Sequence, residues 1–252
     1  MPGIAFSIHL GWLKLGVGIS AVVITILAII MIFKNRELLK DIFTQSKGRF
    51  NEVSTYVKCC FVMLGAQVLF LILNYLIVMI AAGLGFSFIG ILAQLAFSGV
   101  YQYGVINVMN LIKRQEPFTL SNFFDTSDLG RVMGLVFIKS IYQFLWTLLL
   151  IVPGVIKYYE YSQAFFILFE SSGETADEAI TYSRELMQGK KLKLFALQAC
   201  FFVFLVLAPM SFGLSLILVA PFYYMSRYCF YEYTRYGHIR STAPRQVIRI
   251  YR

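Results

Sequence analysis

The sequence predicts an all-α protein: a polytopic transmembrane helical bundle of about seven spans, with interfacial amphipathic helices on the cytoplasmic side. The 252 residues are 59% hydrophobic and only 14% charged, whereas soluble domains average about 25% charged residues. Several uninterrupted apolar runs approach or exceed the roughly 20 residues that a helix needs to cross a bilayer. The runs are continuous rather than alternating in polarity, which excludes barrel-type spans.

Seven apolar runs are predicted to cross the membrane. They are residues 15–33, 59–82, 88–111, 132–152, 155–169, 194–209 and 214–230. Together with the polar segments between them, they divide the chain into four parts. These are an N-terminal transmembrane segment at 1–33, a cytoplasmic amphipathic linker at 34–58, a helical membrane domain at 59–233 and a basic cytoplasmic tail at 234–252.

Two polar segments are predicted to form amphipathic helices at the membrane surface. In residues 34–58 the apolar positions recur every three to four residues, the spacing of a helix with one apolar face. A second helix covers 176–188, where Thr175 and Glu178 form a capping box and Gly189 ends the helix. The basic residues on and after this helix are predicted to form a cytoplasmic docking surface. They are Arg184, Lys190, Lys191 and Lys193.

The stretch 148–162 is the corner around which the predicted spans are arranged, because an apolar run there meets Pro153 and Gly154. Proline with its fixed φ, followed by glycine, suits a type II turn. A single helix over residues 131–169 would be roughly 58 Å long, about twice the thickness of a bilayer core. A tight helical hairpin is therefore favoured. A kink that lines a cavity, as in the broken helices of transporters, is the alternative.

The polar residues near this corner are the predicted ligand-binding or partner-binding site. Lys157 and Glu160 are three residues apart and so share one helix face. They form either an ion pair at the membrane interface or a site for a substrate or a partner helix, and the sequence leaves both interpretations open. The whole predicted site comprises Lys139, Gln143, Pro153, Gly154, Lys157, Tyr158, Glu160, Tyr161 and Ser162.

The distribution of charge predicts the orientation of the chain. Segments 1–14, 83–87 and 210–213 and the corner itself hold almost no basic residue, whereas the other loops hold nearly all of them. Basic loops stay on the cytoplasmic side of the membrane. The tail 234–252 has five arginines and no acid, so we expect it to contact the anionic inner leaflet. The sequence thus predicts a multi-pass membrane protein with the N-terminus outside and the C-terminus in the cytoplasm.

Several classes of function are disfavoured. A net charge of +9 would suggest nucleic acid in a soluble protein, but basic cytoplasmic loops account for it here, and we expect no nucleic-acid partner. The four cysteines lie in or beside apolar runs without metal-ligand spacing, and His9 and His238 stand alone. No nucleophile with its base and no phosphate-binding loop is visible, so we expect neither a cofactor nor enzymatic activity.

An ordered set of short motifs occupies residues 149–232. It comprises LLIVPGVIK at 149–157, YS at 161–162, ADEAI at 176–180, Ser183, LMQGK at 186–190, LF at 194–195, APFY at 220–223 and FYE at 230–232. The set resembles a broad family of integral-membrane proteins of unknown function that is common in Gram-positive bacteria. The resemblance covers roughly residues 35–233. Families of similar appearance include the membrane domain attached to some glycerophosphodiester phosphodiesterases. The resemblance implies a location in the bacterial plasma membrane and a fold rather than a reaction. The implied fold is a six-span core, to which residues 15–33 add a span.

Two functions of different kinds fit these observations. The first is an accessory membrane protein that binds lipid, another membrane protein or a second copy of itself, in secretion, envelope maintenance or bacteriocin immunity. The alternative is a small-solute or lipid transporter or channel subunit with a polar site at the hairpin of Pro153 and Gly154. The first is preferred because the predicted spans hold few ionisable groups and show no convincing inverted repeat.

Overall fold

The computed structural model describes residues 25–50, 52–83, 87–124, 128–171 and 173–238, which form helices joined by turns, with no strand among them. The helices are α1 Thr25–Lys34, α2 Arg36–Arg49, α3 Val53–Gly83, α4 Ser87–Arg114, α5 Leu120–Phe123, α6 Leu129–Leu149, α7 Ile151–Glu160, α8 Ala164–Glu170, α9 Ala176–Leu186, α10 Lys191–Leu207 and α11 Leu214–Tyr236. The all-α prediction is confirmed. The start of the first predicted span and most of the basic tail lie outside the described residues.

Two of the described helices are long and apolar enough to cross a membrane. They are Val53–Ile80, which makes up most of α3, and Leu129–Leu149, which is α6. In the most apolar window of each helix, only 17% of the residues are buried within the protein. The rest of the described chain therefore leaves most of their apolar surface uncovered. The other spans of the predicted seven remain predictions.

The hydrophobic core lies toward one end of the long helices. It is built from the first halves of α3 and α6, the second halves of α4 and α11, and nearly all of α8. Toward their other ends these helices expose apolar side chains, such as Leu71 at 60%, Phe144 at 65% and Leu218 at 52%. The packed end is also the end at which the charged helix α9 joins the bundle. Burial and charge thus divide the molecule into a well-packed polar end and an apolar end.

Helix α2 packs on α11. Its residues Leu39, Ile42 and Ser46, spaced three and four apart, are at most 4% exposed. The ring of Phe43 lies 5.7 Å from that of Phe222, centroid to centroid. The Ser46 hydroxyl donates to the Cys229 sulfur at 3.5 Å. The amphipathic face that the sequence assigned to the membrane surface is therefore packed on protein in the bundle.

The corner at Pro153 and Gly154 is a helical hairpin, as predicted, but it does not contain a type II turn. Helix α6 ends at Leu149, and the chain reverses at Leu150, whose backbone is extended. Pro153 and Gly154 follow in the first turn of α7, where a helix does not need the N–H that proline lacks. The type II turn prediction is wrong because the fixed φ of proline suits the start of a helix as well as a turn.

The chain from α7 to α8 returns antiparallel to α6. Near the hairpin tip, the Lys157 Nζ atom lies 4.8 Å from the centre of the Trp146 ring. Farther along, the rings of Tyr142 and Tyr161 are 6.3 Å apart. At the far end the Arg131 guanidinium donates to carbonyl groups at the end of α8 and just after it. The two arms therefore stay together along their whole length.

The returning arm is not the single helix that the sequence predicts over 155–169. Helix α7 ends at Glu160, a turn occupies residues 161–163, and α8 begins at Ala164. In this turn the Ser162 hydroxyl donates to the Tyr159 carbonyl at 2.8 Å. A serine that bonds to nearby backbone offers the chain an alternative to the helical pattern. The prediction of one continuous helix is therefore wrong.

Candidate functional site

At the hairpin tip, the backbones of α6 and α7 approach each other closely. A Cβ atom placed on Gly154 would lie 2.7 Å from the Thr147 Oγ1 atom and 2.9 Å from its Cα atom, so only glycine fits without a shift. The φ of Gly154 is not positive, so glycine is required here for space and not for a left-handed conformation. The Gln143 amide donates to the Gly154 carbonyl at 2.8 Å. Gln143 and Gly154, both predicted site residues, thus clamp the two arms together.

Glu160, the last residue of α7, is the centre of an ion cluster. Its carboxylate accepts from the Lys157 Nζ at 2.6 Å, as the spacing of three residues predicts. The Lys191 Nζ also lies 2.6 Å away, and the Arg184 Nε lies 3.9 Å away. The sequence predicted Lys157 and Glu160 as one site and Arg184 and Lys191 as another. The structure brings them together around one carboxylate.

The other two predicted docking residues make contacts inside the protein. The Lys190 Nζ donates to the Thr234 carbonyl at 2.7 Å. The Lys193 Nζ donates to the Tyr233 hydroxyl at 3.1 Å. Both contacts join the start of α10 to the end of α11. Of the four predicted docking residues, only Arg184 is exposed, with 52% of its side chain accessible, and the three lysines are half-buried.

The remaining predicted residues of the corner lie on the inner side of the hairpin. Tyr161 and Ser162 are buried, at 3% and 6% exposure. Tyr158 is half exposed and, like Ser162, lines a cavity inside the bundle. Lys139 of α6 lines the same cavity. Lys139, Tyr158 and Ser162 therefore meet at one cavity, whereas buried Tyr161 packs against Tyr142 and does not line it.

This cavity has a volume of about 490 Å³ and lies between α3, α4, α6, α7 and α11. Four side-chain amides line it: Gln67, Asn74, Gln94 and Gln102. Four tyrosines line it as well: Tyr101, Tyr158, Tyr223 and Tyr224. Gln94 and Gln102 of α4 thus lie on the wall of a hollow that could hold a small molecule.

Two cations reach the cavity, Lys139 and Arg227, and no carboxylate is among the described lining residues. The Lys139 Nζ lies 4.9 Å from the centre of the Phe165 ring, and the Arg227 Cζ lies 5.9 Å from that of Phe166. Arg227 donates to the Ser162 carbonyl at 3.1 Å through Nη2. Its Nε is buried and has no hydrogen-bond partner within the described chain.

Lys139 has no hydrogen bond and no ion pair to any residue that the structure describes. The cavity therefore carries positive charge that the described residues do not neutralise. Sequence reasoning found Lys139 but missed Arg227. An arginine within the predicted span 214–230 was the available signal, because charged residues inside membrane helices are expensive to place there and are usually functional.

A second hollow of about 370 Å³ lies between α10 and α11 and shares Tyr223 and Tyr224 with the first. Its other lining residues are apolar except for Gln198. They are Phe201, Phe202, Phe204, Leu205, Leu216, Val219 and Ala220. The Gln198 amide donates to the Tyr223 hydroxyl at 3.4 Å, so the polar contacts of this wall lie beside the shared tyrosine. We call the first hollow the cationic cavity and the second the apolar groove.

A buried ion triad lies at the packed end of the bundle and was not predicted from the sequence. The Glu232 carboxylate of α11 accepts from Arg49 of α2 and from Lys113 of α4. Arg49 and Glu232 are each 1% exposed. Paired charges of this kind tie three helices together, and removing one member leaves charge buried without compensation.

The described residues hold no group of three or more histidine, cysteine, aspartate or glutamate side chains that could bind a metal ion. Cys59, Cys60, Cys200 and Cys229 are free thiols. Cys59 and Cys229 are fully buried and pack as small apolar residues. The groups that the two hollows present to a ligand are instead positively charged side chains, amides, hydroxyl groups and apolar surface.

Comparison with known proteins gives one match. Residues 138–236 are similar to a family described as a protein of unknown function (DUF975). The match covers less than half of the chain, runs from the second half of α6 to the end of α11, and overlaps the motifs quoted above. No curated protein and no solved structure matches the chain. The matched region contains Lys139, Arg227 and the whole apolar groove.

Proposed function

We propose that this chain is a non-enzymatic integral membrane protein that binds an anionic ligand in the cationic cavity. It would act as an accessory or lipid-binding subunit in the bacterial plasma membrane. The observation that carries this proposal is the pairing of Lys139 and Arg227 in a cavity whose described lining has no carboxylate. An anion bound there would neutralise both side chains.

Lys139 and Arg227 are half-buried, and the energetics of partly desolvated charge support this ligand class. Removing a cation from water costs several kcal/mol unless an opposite charge and hydrogen bonds compensate. Cation–π contacts with Phe165 and Phe166 offset part of this cost, since such a contact contributes about 0.5–2 kcal/mol. Side-chain amides and tyrosine hydroxyls around the cavity could donate further hydrogen bonds to an anion. A cationic or neutral apolar ligand would leave the positive charge uncompensated.

The proposed membrane topology places the N-terminus outside and the C-terminus in the cytoplasm. The exposed apolar ends of the long helices support a membrane location, and the basic segments at the packed end support its cytoplasmic side. In this topology α3, α4, α10, α11 and the predicted span 15–33 cross the bilayer. The α6–α7 hairpin enters it from the cytoplasmic side.

How far this hairpin reaches can be argued from the Glu160 cluster. Nine residues separate Glu160 from Ile151 at the tip, which is about 14 Å of helix. The bilayer core is about 30 Å thick. With the Glu160 cluster placed at the cytoplasmic surface, the tip would lie near the middle of the membrane. The seven predicted spans would then become five crossings plus one re-entrant hairpin, in which α6, although long enough to cross, does not do so. The proposed orientation is unchanged, because the hairpin enters and leaves on the same side.

Lipid retention in native mass spectrometry tests the proposed ligand class. The purified protein should retain an anionic ligand, and Lys139→Met and Arg227→Met should each weaken retention, because each removes one positive charge while keeping a long side chain. Lys40→Met is the matched control, since Lys40 is exposed on α2 and far in sequence from the cavity lining. Equal retention of anionic and neutral molecules by all four proteins would contradict the proposal.

A transporter is the second candidate, and the same cavity favours it, because Gln94 and Gln102 extend its polar wall along about 12 Å of α4. Flux measurements in proteoliposomes distinguish the two candidates. Flux of an anion that depends on Lys139 would make the chain a transport subunit. Binding without flux would support the accessory function, in which a membrane partner or a second copy of the chain covers exposed apolar surface.

A further inference from the structure

The cationic cavity and the apolar groove lie on either side of one wall. Tyr223 and Tyr224 of α11 line both hollows, and their rings are 5.3 Å apart in an edge-on arrangement. The Tyr223 ring also packs edge-on against Phe201 of the groove at 5.1 Å. The two hollows are therefore adjacent, with this pair of tyrosines between them.

The two hollows differ sharply in chemistry. The cavity presents Lys139 and Arg227 among amides and hydroxyl groups. The groove presents aromatic and aliphatic side chains from α10 and α11, and its described lining contains no ionisable group other than the two shared tyrosines. Their volumes of about 490 and 370 Å³ each fall in the usual range of ligand sites, about 300–1,000 Å³. A positively charged hollow next to an apolar one is complementary to an amphiphile with an anionic head.

We infer that the ligand is an anionic phospholipid, with its headgroup phosphate in the cationic cavity and an acyl chain in the apolar groove. This inference rests on the proposed function and names the ligand class of the same site. Phosphate oxygens would accept hydrogen bonds from Lys139 and from Arg227, whose buried Nε lacks a partner in the described chain. The acyl chain would cover Val219 and Ala220 on α11 and Leu205 on α10.

The exposure of the groove residues agrees with entry of an acyl chain into the groove from the surrounding bilayer. Leu205 is 54% exposed and Phe202 is 59% exposed, so the groove is open along α10. Both lie on the part of the bundle that has the most uncovered apolar surface. A lipid could therefore place its chain in the groove directly from the bilayer. A free phosphate ion would use the cavity and leave the groove unoccupied.

Competition between three probes tests the inference. Binding to the purified full chain is measured for phosphatidylglycerol, for phosphatidylcholine with the same acyl chains, and for glycerol 3-phosphate, which has the charge without the chains. We expect phosphatidylglycerol to bind at least about tenfold more tightly than either of the others, a difference of about 1.4 kcal/mol or more. Lys139→Met should remove the preference for phosphatidylglycerol over phosphatidylcholine.

Substitutions in the groove test the position of the acyl chain. Ala220→Phe fills the groove from α11, and Leu205→Phe enlarges a half-exposed side chain of α10, where the core is not disturbed. Both should weaken phosphatidylglycerol binding and leave glycerol 3-phosphate binding unchanged. The matched control is Leu218→Phe, since Leu218 is 52% exposed on α11 and does not line the groove.

The outcomes separate this inference from the proposed function. If glycerol 3-phosphate binds as tightly as phosphatidylglycerol and neither groove variant has an effect, the ligand is a soluble anion. The lipid inference is then overturned, while the anion site stands. If neither anionic probe binds more tightly than phosphatidylcholine, and Lys139→Met changes nothing, the anion site itself is overturned.

Discussion

The carboxylate of Glu160 and the ammonium group of Lys191 lie 2.6 Å apart and join the end of α7 to the start of α10. The Tyr159 hydroxyl donates to Gln198 at 2.9 Å, so α10 continues alongside α7 from this junction. Counted from this junction, α10 continues for sixteen residues to Leu207, which is about 24 Å of helix. Helix α7 reaches the hairpin tip at Ile151 after only nine residues. The tips of the two hairpins therefore lie at different distances from this junction.

Cysteine labelling should show this difference in depth. Ile151→Cys at the tip of the α6–α7 hairpin and Phe212→Cys at the tip of the α10–α11 hairpin would be placed in a chain whose four native cysteines are replaced by alanine. We expect a membrane-impermeant maleimide added outside intact cells to label position 212 and not position 151. Position 151 should react only after detergent is added. Equal labelling from outside would show that α6 and α7 both cross the membrane.

Glu232→Gln should be strongly destabilising. The substitution removes the negative charge between Arg49 and Lys113 and leaves both cations in a buried site. Breaking a buried ion pair in this way costs about 3–5 kcal/mol of unfolding free energy. Thermal or denaturant unfolding in detergent measures the change. The control is Glu37→Gln, which removes an exposed pair with Arg36 and should change stability by less than about 1 kcal/mol. Equal effects would mean that the triad adds no stability.

Gly154→Ala should destabilise the hairpin. The added Cβ would approach the Thr147 backbone to 2.9 Å, so one arm must shift. Forcing an extra methyl group into a closely packed position costs about 1–3 kcal/mol. Gly48→Ala near the end of α2 is the control, because a Cβ there meets nothing within 4 Å. That change should be neutral or stabilising by up to about 1 kcal/mol, since alanine favours helix. A neutral Gly154→Ala would contradict the close approach.

The stability of the first turn of α9 should depend on pH, because the Glu178 carboxylate helps to cap it. A backbone hydrogen bond from Thr175 and a second from its hydroxyl hold the pKa of Glu178 below its usual value. A carboxyl whose pKa is lower in the folded state stabilises that state above its unfolded pKa, and loses this contribution as the pH falls through the folded value. Glu178→Gln should therefore weaken hydrogen-exchange protection at the start of α9 at pH 7. The difference from the unchanged protein should disappear in strongly acidic solution.

Glu185→Gln is the control for this measurement, since Glu185 is exposed near the other end of the same helix. It should leave protection at the start of α9 unchanged at both pH values. If Glu178→Gln has the same effect at pH 7 and in acid, the capping carboxylate is not the source of the protection.

The sequence predicted several contacts correctly because they are local. The spacing of three residues brings Lys157 to Glu160, and the Thr175 and Glu178 capping box forms as its motif indicates. The helical hairpin was predicted from length and from Pro153 and Gly154. Its turn was assigned wrongly, since the same two residues are compatible with the first turn of a helix.

Contacts between distant residues could not be predicted in this way. Lys191 joins Glu160 across 31 residues, and Arg49 joins Glu232 across 183. Arg227 lies in α11, and only packing shows that it shares a cavity with Lys139 of α6. No single-sequence pattern records which faces of separate helices meet.

The amino-acid sequence by itself determined that this chain is helical, apolar and basic at its loops, and it identified the corner at Pro153 and Gly154. These properties follow from composition and from periodicities within about one helical turn. The tertiary structure alone decided where the charges lie. Glu160 contacts three cations, and Glu232 lies between Arg49 and Lys113. Lys139 and Arg227 share a cavity whose described lining has no carboxylate. The reason is physical, since the cost of a buried charge depends on what surrounds it in space.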